Sequence, residues 1–103
     1  MKKIRLTEKE IKAIKETALE IFGRDTKVYI FGSRTNPSKK GGDIDIFLEI
    51  PDCDNLTLVK KRLKFLVKLK DKIGEQKIDL LIKREKDSLN PIYENIKKYA
   101  VRI

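Results

Sequence analysis

Residues 43–50 read DIDIFLEI, and the alternation is unbroken: Ile44, Ile46, Leu48 and Ile50 fall on one side, Asp43, Asp45, Phe47 and Glu49 on the other. A period of two marks a β-strand with one buried face, because successive side chains leave a pleated strand on opposite sides. Toward the N-terminus, residues 34–42 (RTNPSKKGG) carry Pro37 and a glycine pair and read as a loop. Before it, residues 27–31 (KVYIF) are a short β-branched and aromatic run closed by Gly32, which suits another strand. Residues 7–10 spell a capping box, TEKE, and Ile11, Ile14, Ala18 and Phe22 follow at helical spacing, so a helix is expected over 7–22 with Gly23 ending it. Toward the C-terminus, the apolar positions 56, 59, 63, 66 and 73 repeat at helical spacing over 56–73, and Gly74 stops the pattern. Residues 77–83 (KIDLLIK) read as a third strand, 88–99 as a last helix with Pro91 in its first turn, and 101–103 as a short extended tail.

A loop of about ten residues between the first two strands lets them pair antiparallel, whereas a helical crossover is what parallel neighbours require. The expected class is therefore α+β: a small mixed three-stranded sheet, strand 1 antiparallel and strand 3 parallel to strand 2, with helices packed on one face. The 103 residues amount to one domain, 1–103, large enough to fold around a single core.

Composition narrows the chemistry. The chain is 40% hydrophobic and 40% charged, too apolar for a disordered tail and too interrupted by charge for a membrane span. With 25 Lys and Arg against 16 Asp and Glu, its net charge of +9 favours acidic partners. The N-terminus lacks the apolar stretch of a secretory signal and Cys53 has no second cysteine to pair with, so a cytoplasmic setting is expected. With no histidine, the chain cannot use a Ser-His-Asp triad, imidazole acid–base catalysis or His-ligated zinc. What remains is chemistry on carboxylates, lysines, hydroxyls and the metals they bind.

Two features then converge. The first strand runs directly into Gly32-Ser33, a corner where backbone can approach a phosphate closely. Asp43 and Asp45, two apart on a strand, project from one face with Cα atoms about 6.6 Å apart, and would repel each other unless a cation sits between them. The parallel crossover places Asp79 beside Asp45, on the face opposite Ile78, Leu80 and Ile82. Three carboxylates are hard oxygen ligands suited to Mg²⁺ or Mn²⁺, and a pair of such ions can clamp an in-line phosphoryl or nucleotidyl displacement.

The order F-G-S, nine residues, D-I-D and a later I-D-L resembles the nucleotidyltransferase superfamily of DNA polymerase β, in particular its minimal branch of small stand-alone domains. The resemblance spans nearly the whole chain. It implies that Gly32 and Ser33, with Arg34 beside them, hold the β- and γ-phosphates of a nucleoside triphosphate such as ATP. It implies also that Asp43 and Asp45 bind two Mg²⁺ ions, and that Asp79 completes the catalytic metal site and helps deprotonate the attacking hydroxyl. Members of that branch pair with HEPN-domain proteins in toxin–antitoxin systems, where they move AMP onto a partner tyrosine. Other relatives modify RNA ends or aminoglycosides, and a non-catalytic interaction module is a further alternative. The chain departs from the branch after Arg34, where Thr35-Asn36-Pro37 interrupts the usual helix.

Elsewhere the residues read more plainly. The 56–73 helix holds Lys60, Lys61, Arg62, Lys64, Lys68, Lys70 and Lys72 against Asp71 alone. That is a solvated face, with an acidic partner or nucleic acid as the alternative; no aromatic interleaves the lysines to stack on bases. Lys39 and Lys40 lie where they would neutralise a triphosphate. Tyr93 and Tyr99 read as core or interface residues, and Cys53 as an incidental loop thiol.

Overall fold

The elements follow the expected order: α1 (Glu8–Phe22), β1 (Lys27–Phe31), β2 (Ile44–Ile50), α2 (Asn55–Ile73), β3 (Ile78–Arg84), α3 (Pro91–Tyr99) and β4 (Val101–Arg102). They come from a computed structural model that describes residues 6–31, 44–74, 76–87 and 91–103. Both long helices begin on side-chain caps. The Thr7 amide donates to Glu10 Oε1 at 3.0 Å and the Glu10 amide to Thr7 Oγ1 at 3.1 Å, satisfying two amides that α1 leaves without a helical partner. Asp54 accepts from the Thr57 amide at 2.7 Å, and that bonding holds its carboxyl below the usual range. Both helices end on glycines with positive φ, Gly23 at 108° and Gly74 at 89°, a region that residues with a Cβ avoid.

The sheet has four strands in the order β3-β2-β1-β4, one more than the sequence pattern predicts. β1 pairs antiparallel with β2, from Lys27 opposite Glu49 to Phe31 opposite Asp45, and β2 pairs parallel with β3, from Ile44 beside Ile78 to Ile50 beside Arg84. The added strand is the C-terminal tail: Ile30 and Val101 are register partners, and the Ile103 amide donates to the Val28 carbonyl at 2.9 Å. Two residues are too few for a period-two signal, yet they satisfy backbone groups that β1 would otherwise expose at the sheet edge. The opposite edge is β3. There Arg62 Nη1 on α2 donates to the Leu80 carbonyl at 2.8 Å.

Ile44, Ile46, Leu48 and Ile50 join Val28, Ile30 and Leu80 in one core with Ile14, Ala18 and Phe22 of α1 and Phe65 and Leu69 of α2. The rings of Phe22 and Phe65 meet at 5.9 Å between centroids. Polar contacts stitch the two helices above this layer: Lys68 pairs with Glu20, whose carboxyl is thereby held below its usual range, and Lys72 Nζ donates to the buried Thr17 hydroxyl at 3.0 Å.

One expectation needs correction. The helices are not all on one face. Phe47 points away from the main core and is fully buried because Tyr93 of α3 stacks on it at 5.7 Å and Tyr29 packs beside it at 5.6 Å. A buried aromatic on the second face needs a cover, and α3 provides it. The expected α2 is present, and it turns Phe65 and Leu69 inward while leaving Leu56, Val59 and Leu63 exposed. The helix carries two apolar stripes, and the sheet takes the one with the larger aromatic payload. No helix among the described residues is long and apolar enough to cross a membrane.

Candidate active site

The second face of the sheet, the side that carries α3, is built in rows by the strand register. Phe31, Asp45 and Asp79 form the first row, running from β1 through β2 to β3. Phe47 lies between Tyr29 and Leu81 in the second, and Glu49 between Lys27 and Lys83 in the third. Because the period of a strand is two, Asp45 and Asp79 leave their strands on the same side, from neighbouring strands about 4.8 Å apart. Asp45 is half-buried and Asp79 exposed. Two carboxylates that leave neighbouring strands on one face form a donor pair that a single cation can share. Their hard oxygen donors fit Mg²⁺ or Mn²⁺.

A hollow of about 350 Å³ opens beside this row, lined by Asp79, Phe31, Leu81 and Ile96, with Arg62 at its rim. Periodicity alone does not single out these neighbours, although Phe31 stands immediately before Gly32-Ser33 in the sequence. Behind the row, α3 is pinned by polar contacts. Tyr29 donates its hydroxyl proton to Glu49 Oε1 at 3.1 Å, and Lys97 Nζ reaches Glu49 Oε2 at 3.3 Å. Burial, reinforced by the carboxylate, pushes the Tyr29 hydroxyl above its usual pKa, so it serves as a neutral donor. Tyr93 lies in the packing of this face, against Phe47.

The structure thus brings together two of the residues singled out by sequence, Asp45 and Asp79, in direct register. Asp43, Gly32, Ser33 and Arg34 lie outside the described residues, as do Lys39 and Lys40. Among the described residues no group of three His, Cys, Asp or Glu side chains gathers to hold a metal ion. Cys53 is a half-buried free thiol at the far end of β2, and its carbonyl accepts from Arg84 Nη1 at 3.2 Å.

Residues 11–103 match a family model described as a nucleotidyltransferase domain, a span that includes every residue of the proposed constellation. No curated protein matches the chain.

Proposed function

The chain belongs to the nucleotidyltransferase domain family, and from that premise we propose that it moves AMP from ATP onto a hydroxyl of a partner protein, with Mg²⁺ as cofactor. Nucleotidyl transfer in general follows from the family; the donor, the metal and the acceptor are the proposal. The observation that supports it best is the in-register pairing of Asp45 and Asp79 on one face, at the end of the sheet where β1 leads into Gly32-Ser33.

Asp45 and Asp79, with Asp43 two positions upstream in the sequence, would hold two Mg²⁺ ions, and Mn²⁺ would substitute. When bound, the metal supplies charge stabilisation for the transferring phosphoryl oxygens. Gly32, Ser33 and Arg34 are assigned the β- and γ-phosphates on the strength of the sequence motif. Asp79 takes the proton of the attacking hydroxyl as its oxygen bonds to the α-phosphorus, and the bond to pyrophosphate breaks. The protein acceptor is taken from the resemblance to the minimal branch, whose members modify a tyrosine of a partner protein. The partner proposed is a HEPN-domain protein encoded beside this chain, with the pair acting as antitoxin and toxin in the cytoplasm.

Incubating the protein with labelled ATP, Mg²⁺ and either that neighbour or a bulk RNA pool tests the reading. Label is expected on the neighbour protein, with transfer falling about a thousandfold in Asp45→Asn and Asp79→Asn, the scale of losing several kcal/mol of transition-state stabilisation. The Mg²⁺-dependent rise in melting temperature should disappear in the same variants. Transfer surviving in the double variant would reject the assignment of the carboxylates, and label on RNA alone would reject the protein acceptor.

A further inference from the structure

On the outward side of α2, Leu56, Val59, Leu63 and Val67 are 65%, 54%, 60% and 69% exposed, four large aliphatic side chains on one helix. Their spacing of three, four and four residues keeps them on one line, directly opposite the inward stripe of Phe65 and Leu69. Over eleven residues the line runs about 16 Å. Isolated exposed leucines are ordinary, but a continuous aliphatic seam on a surface helix marks a contact.

The charges beside the seam indicate what covers it. Lys60 and Lys64 lie along one side and Lys70, seven residues beyond Leu63, continues the line past Val67, and none of the three makes an ion pair among the described residues. Of the other basic residues on the helix, three bond within the chain itself: Lys68 to Glu20, Lys72 to Thr17 and Arg62 to the Leu80 carbonyl. Asp71 is the one acid on the helix. A second copy laid on the same seam would set lysines against lysines, with Asp71 alone to oppose them. A nucleic acid would find no aromatic platform there, since Phe65 is buried. A lipid surface would find none of the interfacial aromatics that anchor a helix in headgroups, and the chain has no Trp. An apolar ridge flanked by glutamates or aspartates fits both the seam and its rim.

We propose that the outward face of α2 is a docking surface for an acidic amphipathic helix of a partner protein. The helix packs its apolar ridge along Leu56, Val59, Leu63 and Val67 and sets its carboxylates against Lys60, Lys64 and Lys70. This surface does not rest on the nucleotidyl-transfer reading, and its test measures binding alone.

The probe is a 21-residue designed peptide with leucines at the two core positions of each heptad and glutamates at the flanking positions, compared with a counterpart in which lysines replace the glutamates. The full chain should bind the glutamate peptide and raise its helical content, and leave the lysine peptide unbound. Leu63→Glu combined with Val67→Glu should weaken binding about tenfold or more, the size of losing a central contact, without lowering the melting temperature. Lys60→Glu with Lys64→Glu, which keeps the seam intact, should weaken the glutamate peptide and let the lysine peptide bind. Failure of the glutamate peptide to bind, or binding indifferent to both pairs of substitutions, overturns the proposal. So does a concentration-dependent dimer in sedimentation that Leu63→Glu abolishes. Phosphatidylglycerol vesicles or poly(A) RNA bound through these same residues in preference to the peptide would overturn it too.

Discussion

Thr26 buries its hydroxyl at the start of β1 with no hydrogen-bond partner among the described residues. A buried hydroxyl that loses its water and gains nothing costs about 1–3 kcal/mol, and valine has the same shape without the cost. Thr26→Val should therefore raise stability by about 1 kcal/mol, read as a higher urea midpoint at unchanged slope. Asp45 and Asp79 show what a sequence can say about single residues. Strict alternation in β2 assigns Asp45 a face, the crossover helix assigns β3 a direction, and together they predict the pairing that the register displays. Phe31, Leu81 and Ile96 escaped the same reasoning. They meet beside Asp79 only through the register of three strands and the placement of α3, which no local pattern encodes.

Among the elements, α2 shows the difference between forming a helix and choosing its buried side. Its apolar residues repeat with helical period along two lines, so periodicity announces a helix without saying which line turns inward. The structure buries Phe65 completely against Phe22 and leaves Leu63 60% exposed. Phe65→Ala should cost about 3–5 kcal/mol, since a ring leaves a cavity in a packed core, whereas Leu63→Ala should stay within about 0.5 kcal/mol. Chemical denaturation of the two variants side by side checks the assignment, and equal losses would contradict it. The capping box of α1 was legible because its chemistry lies within four consecutive residues. β4 was not, because two residues form a strand only when a neighbouring edge is waiting for them.

For the molecule as a whole, charge sets the response to acid. Arg84 binds Asp87 bidentately, through Nη2 to Oδ1 at 3.0 Å and Nε to Oδ2 at 3.2 Å, and also reaches Cys53 and Asn55 across the turn into α2. Hydrogen bonding from Arg84 holds the Asp87 carboxyl below its usual value of 3.8. A carboxyl depressed on folding contributes stability that is fully present above that usual value and is lost as the pH falls through the lowered one. Glu20 at the α1–α2 junction, depressed by Lys68 from 4.5, acts in the same direction. Asp87→Asn should melt lower than the wild type at neutral pH, and the gap should narrow as melts are taken at successively lower pH below 3.8. A gap that persists unchanged into acid would show that the pair contributes packing rather than charge. Protonation of the carboxylates also leaves 25 basic side chains unopposed, so added salt should slow the loss.

The sheet has two ends, and each is closed differently: β4 lies along β1, while at β3 the carbonyl of Leu80 is already taken by Arg62. A strand from another molecule arriving at β3 would find that acceptor occupied and a guanidinium standing over it. The same helix that displays its lysines to the outside thus sets an arginine over one backbone acceptor of the β3 edge, where a fixed charge disfavours the pairing of a further strand.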